Sequence, residues 1–75
     1  MESKNIYLRT IEDVKDFVNI VSKIDGDVTL SNGRYVIDAK SIMGIFSLDL
    51  TKPLKLEIDN WKEEYGPLFA RYEVV

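Results

Sequence analysis

Between Ile11 and Ile24 the apolar residues Val14, Phe17, Val18, Ile20, Val21 and Ile24 recur at helical spacing, while Glu12, Asp13, Lys15, Asp16, Asn19 and Lys23 take most of the other side. This pattern predicts an amphipathic helix of nearly four turns lying on a sheet. Thr10 is placed as its N-cap, with Asp13 three residues on imitating a capping box, and Glu12 and Asp13 complement the positive end of the helix dipole. Asp25 and Gly26 close the helix. Ahead of it, Ile6, Tyr7 and Leu8 form a short run of β-formers without a breaker and suit a first strand.

Beyond the helix, Val28 to Leu30 and Tyr35 to Ile37 flank Ser31, Asn32 and Gly33, and predict two strands around an Asn-Gly hairpin turn with Leu30 facing Tyr35. Ser41 is a second N-cap candidate, followed by Ile42, Met43, Ile45, Phe46 and Leu48 around Gly44. One helix face cannot bury all five; the expected split puts Ile45 and Leu48 inward and leaves Ile42, Met43 and Phe46 partly exposed. Thr51, Lys52 and Pro53 stop this segment, and Leu54 to Ile58 alternates strictly, the signature of a half-buried strand. In the tail, Gly66 and Pro67 interrupt the face made by Trp61, Tyr65, Leu68, Phe69 and Tyr72. A turn near Asn60 and a helix mainly from Pro67 to Tyr72, with an earlier turn from Trp61, are expected. The order is β-α-β-β-α-β-α in one domain spanning residues 1–75: an α+β fold, a four-stranded antiparallel sheet with helices on one face.

Composition narrows the chemistry. The chain has 75 residues, 45% apolar and 31% charged, as in an ordinary soluble globular domain. A net charge of −3 without a basic stripe argues against a nucleic-acid partner. Cysteine and histidine are both absent, which removes disulfides, thiolate nucleophiles and the usual transition-metal ligands, and no cofactor is called for. No apolar run suits a signal peptide or approaches the ~20 residues of a membrane span, so no membrane role and a cytoplasmic location are expected.

The run Lys40 to Leu48, KSIMGIFSL, resembles the segment around the regulatory serine of HPr, the histidine-containing phosphocarrier family of the bacterial sugar phosphotransferase system. The resemblance runs from Ile6 to about Ile58 and implies an HPr-like open-faced β-sandwich. It also implies that Ser41 is the site of regulatory phosphorylation, and that Ile42, Met43 and Phe46 belong to a surface that docks partner proteins. The family's active-site motif, G-I-H-A-R-P-A, would place Thr10 at the histidine and Glu12 at the arginine. Phosphoryl carriage needs an imidazole nucleophile, donors at a helix N-terminus and a nearby cation. A hydroxyl and two carboxylates replace these here, and a phosphate beside Glu12 and Asp13 would be repelled by like charge. With no histidine anywhere, histidine-based carriage is excluded whatever the alignment.

The remaining features have plainer readings. Ser41 is first a helix cap. Glu12, Asp13 and Asp16 form a solvated face, with too few oxygen ligands for a Ca²⁺ site. Trp61, Tyr65, Phe69 and Tyr72 pack the tail over the core rather than stack bases. The four glycines are too dispersed for a phosphate-cradling loop, and no catalytic triad can be assembled, so the chain reads as no enzyme. The sequence therefore points to a degenerate HPr-like protein that acts by contact with protein partners, among them phosphotransferase-system or regulatory proteins. A homodimer contact would use the same surface equally well. The alternatives are an HPr-type switch phosphorylated at Ser41, and a ferredoxin-like self-association or small-molecule-binding module sharing the same element order.

Overall fold

The computed structural model describes residues 2–74. Strand β1 (Glu2–Ile6) leads to helix α1 (Ile11–Val21), the hairpin β2 (Val28–Asn32) and β3 (Tyr35–Asp38), helix α2 (Ile42–Phe46) and strand β4 (Leu54–Ile58). A 3₁₀ turn at Glu63–Tyr65, helix α3 (Gly66–Phe69) and a second 3₁₀ turn at Ala70–Tyr72 complete the order. The four strands lie in the order β1-β4-β2-β3, and every neighbouring pair is antiparallel. This is the open-faced sandwich expected. The strand order separates it from the ferredoxin-like arrangement, which has β1 and β3 at the centre of the sheet, whereas β4 and β2 are central here.

Alternation along the strands divides the sheet into two faces. Ile6, Val28, Leu30, Leu54, Leu56 and Ile58 are buried under the helices, while Ser3, Asn5, Thr29, Ser31, Lys55 and Glu57 lie on the other face. Val14, Phe17 and Val21 of α1 meet the apolar face, and Phe17 also packs on the tail, 5.8 Å from Phe69 and 5.9 Å edge-on from Tyr72 between ring centroids. Among the described residues no polar or charged residue is buried. None of their helices is long and apolar enough to cross a membrane.

Several boundaries differ from those expected. Strand β1 is Glu2–Ile6 rather than Ile6–Leu8, because β4 pairs with it residue by residue from Glu2↔Ile58 to Ile6↔Leu54. Pairing prevails here over the weak β-propensity of Glu2 to Asn5. Beyond Ile6 the tail takes over, with Tyr7 N–H donating to Tyr72 O (2.8 Å) and Val74 N–H to Asn5 O (2.9 Å). Helix α1 ends at Val21, and the amides of Lys23 and Ile24 turn back three residues to Ile20 and Val21 in a tightened last turn. In the hairpin Leu30 faces Ile37, not Tyr35; Tyr35 faces Asn32, so the two-residue loop is Gly33-Arg34. Gly33 takes φ of 63°, while no non-glycine residue described has positive φ, the φ pattern of a II′ hairpin turn. In the tail, Gly66 and Pro67 do not interrupt the helical run. They open α3, where proline's missing N–H is harmless, and helical backbone extends through to Tyr72.

Candidate functional site

Ser41 sits in the short connection between β3 and α2, and its neighbours hold that connection at two ends. The Asp38 carboxylate accepts from Lys40 N–H (2.9 Å), and Ser41 N–H donates to Asp38 O (3.0 Å). The Lys40 ammonium reaches across to the carbonyls of Ile24 (2.7 Å) and Gly26 (3.1 Å), just beyond the end of α1. A cation there satisfies carbonyls that the helix geometry leaves free and complements the negative end of the dipole. Lys40 thus has a structural reason to precede Ser41, a role that its place in the motif did not reveal.

With the connection held, Ser41 caps α2: its backbone is extended, and its Oγ accepts from Gly44 N–H at 3.1 Å. Gly44 allows this close approach. A Cβ at that position would lie 3.3 Å from Ser41 Oγ and 3.5 Å from Ile37 Cβ, between the cap and β3. Beyond the helix, Asn32 Nδ2 donates to Asp49 O (3.2 Å), tying the following loop to the end of β2. The hydroxyl and then the amide of Thr51 hydrogen-bond Asp49 and hold its carboxyl below the ordinary value.

A helix of five residues pinned in this way can turn only one face inward. Ile45 is fully buried and Leu48 nearly so, whereas Met43 is 79% exposed, Phe46 46% and Ile42 36%. The division of these five residues is the one expected, and it leaves an apolar patch with an adaptable methionine at its most exposed point. Ser41, Ile42, Met43 and Phe46 are thereby brought together on one element.

Thr10 and Glu12 lie elsewhere, exposed at the N-terminus of α1. Thr10 Oγ1 accepts from Asp13 N–H (3.0 Å) as expected, but the capping box is displaced: Asp13 Oδ2 accepts from Arg9 N–H (3.0 Å), not from Thr10. The Arg9 guanidinium lies over the Tyr7 ring, 4.7 Å from its centroid. Between Thr10 and Glu12, Ile11 is 62% exposed and takes no part in the buried stripe of α1. The Thr10 side chain thus takes the Asp13 amide at the start of α1, and Glu12 and Asp13 place two carboxylates in its first turn.

The other candidates are absorbed by packing. Asp16 pairs with Arg71 at 2.9 Å, and the Asp13 carboxylate accepts from the backbone N–H of Arg9. Phe69, Tyr72 and Tyr65 are buried, while Trp61 stacks edge-on with Tyr65 (5.9 Å) under the Lys4 ammonium (5.2 Å).

The sequence model of the family described as "PTS HPr component phosphorylation site" matches residues 13–64, more than half of the chain. The match takes in most of α1, the hairpin, Ser41 with α2, and β4; Thr10 and Glu12 precede it. No curated protein and no solved structure matches the chain. Members of this family are phosphocarriers rather than catalytic enzymes and interact with proteins of the phosphotransferase system. With the family match, the β1-β4-β2-β3 sheet and the capped helix at Ser41 in agreement, the chain belongs to the HPr family of the phosphotransferase system.

Proposed function

We propose that this protein is a regulatory member of its family, acting in the cytoplasm of a bacterial cell by binding protein partners in or near sugar uptake, without carrying phosphate and without catalysis of its own. The observation that carries this reading is that the motif helix presents Ile42, Met43 and Phe46 to solvent in a chain with no histidine. The self-capped, acidic N-terminus of α1 supports it, since Thr10 already takes the Asp13 amide there and Glu12 and Asp13 would repel a phosphate. Incubation with the first enzyme of the phosphotransferase system and phosphoenolpyruvate is expected to leave the protein unlabelled; a labelled side chain refutes the reading. A specific partner retained by the wild type is expected to be lost with Met43→Asp, and its full retention would move the docking surface elsewhere.

A second reading is favoured by the position of Ser41. Its Oγ lies at the start of α2, where the helix amides welcome added negative charge, and a family kinase acting there would make the docking surface switchable. Intact mass after exposure to an HPr-type kinase and ATP separates the two: an unchanged mass removes the switch.

A further inference from the structure

The two edges of the sheet are treated differently. The outer edge of β1 is covered over Lys4 to Ile6 by the chain's own tail, through the Ile6↔Glu73 bridge, the Val74-to-Asn5 hydrogen bond and the Lys4–Glu73 ion pair (3.2 Å). Strand β3 forms the other edge and has no such cover among the described residues. Tyr35 and Val36 are 68% and 64% exposed, and the strand carries neither the proline nor the lysine that commonly blunts an open edge.

The orientation of the free backbone groups follows from the ladder. Ala39 N–H donates to Val28 O (2.9 Å), so Ala39 and Val28 are a hydrogen-bonded pair. By the alternation of an antiparallel ladder, Ile37–Leu30 and Tyr35–Asn32 are hydrogen-bonded pairs, while Asp38–Thr29 and Val36–Ser31 are not. The N–H and C=O of Val36 and the N–H of Asp38 therefore point away from β2, toward the open edge.

We propose that β3 pairs antiparallel with β3 of a second copy of this chain about a two-fold axis through Val36, joining two four-stranded sheets into one. The sequence of the edge, Arg34-Tyr35-Val36-Ile37-Asp38, is self-complementary in this register. Val36 meets Val36 through its outward N–H and C=O, Tyr35 lies opposite Ile37, and Arg34 lies opposite Asp38 at both ends. Among the described residues Arg34 makes no ion pair, and Asp38 uses one carboxylate oxygen on Lys40 N–H. Opposite charges directly across an antiparallel pair are favourable, and a two-fold operator makes each such contact twice. The contact involves neither α2 nor the docking reading above.

Sedimentation velocity over a concentration series tests this. A short edge belongs with the weak interfaces, so the wild type is expected to dimerise with a dissociation constant of about 10 µM to 1 mM. Val36→Pro removes the outward N–H without cutting a β2–β3 hydrogen bond and is expected to weaken the dimer at least about tenfold, a proline at an edge N–H being tolerated by the sheet. Arg34→Asp alone and Asp38→Arg alone each place like charges in register and are expected to be monomeric, whereas their equimolar mixture pairs Asp with Arg at both ends and is expected to restore the dimer. A wild type that stays monomeric at ~1 mM overturns the proposal. So does a mixture that behaves like its components, or a dimer abolished by Met43→Asp but not by Val36→Pro.

Discussion

Two neighbouring positions of α2 should respond oppositely to truncation, because they share a backbone and differ in burial. Ile45 is fully buried and Met43 is 79% exposed. Ile45→Ala removes three carbons from the core, worth ~2–2.5 kcal/mol by transfer alone at ~0.8 kcal/mol per buried methylene. The cavity left behind brings the expected cost to about 3 kcal/mol, within the range measured for such truncations. Met43→Ala should stay within about 0.5 kcal/mol, as surface substitutions usually do. A chain of this size has a total stability of roughly 4–11 kcal/mol, so the Ile45 variant loses about a quarter or more of it. With a urea slope near ~1 kcal/mol/M, the Ile45→Ala midpoint falls by about 3 M while that of Met43→Ala hardly moves. Should Ile45→Ala fail to fold, Ile45→Val, at about 1 kcal/mol, provides the same comparison on a smaller scale. Partner retention should show the reverse order, with Met43→Ala impaired and the folded Ile45→Val intact. Equal midpoint shifts for Met43→Ala and Ile45→Ala would refute the inward–outward division on which the proposed docking surface rests.

At the cap, Ser41→Ala is expected to cost about 1 kcal/mol and lower the melting temperature by about 4–8 °C, because Gly44 N–H loses its acceptor. Ser41→Asp keeps an acceptor there and should retain most of that stability; equal losses in both variants would show that the hydroxyl is not acting as a cap. For Asp49, the folded carboxyl sits below its ordinary value because of Thr51, so its contribution is present above about pH 3.9 and is lost as the pH falls through the lower folded value. Carboxyl titration by NMR should show the Asp49 midpoint rising toward ~3.9 in Thr51→Val, which removes the hydroxyl and keeps the amide; an unmoved midpoint would exclude the hydroxyl as the main cause.

Where a segment carries its own instructions, the sequence was readable. The Thr10 cap, the stripe of α1, the Ser41 cap and the alternation of Leu54–Ile58 all depend on neighbours within a few residues, and each appears where the pattern places it. The misplaced features depend on distant partners. Strand β1 is positioned by β4, some fifty residues on, and the hairpin register turns on which two residues enter the loop, a choice that shifts every cross-strand pair. The tail helix from Pro67 to Tyr72 was legible as well, but its packing of Phe69 and Tyr72 on Phe17 was not, being a contact between distant segments.

By itself the sequence determined the element order, the family to which the motif around Ser41 points, and the absence of histidine, because these are matters of residue identity and local spacing. The tertiary structure alone decided which residues the helices leave uncovered, that Lys40 ties Ser41 to the end of α1, and that the tail covers one sheet edge and leaves the other open. Exposure and edge pairing are settled only when the chain closes on itself, since apolar surface and backbone donors are satisfied by whichever distant segment arrives to meet them.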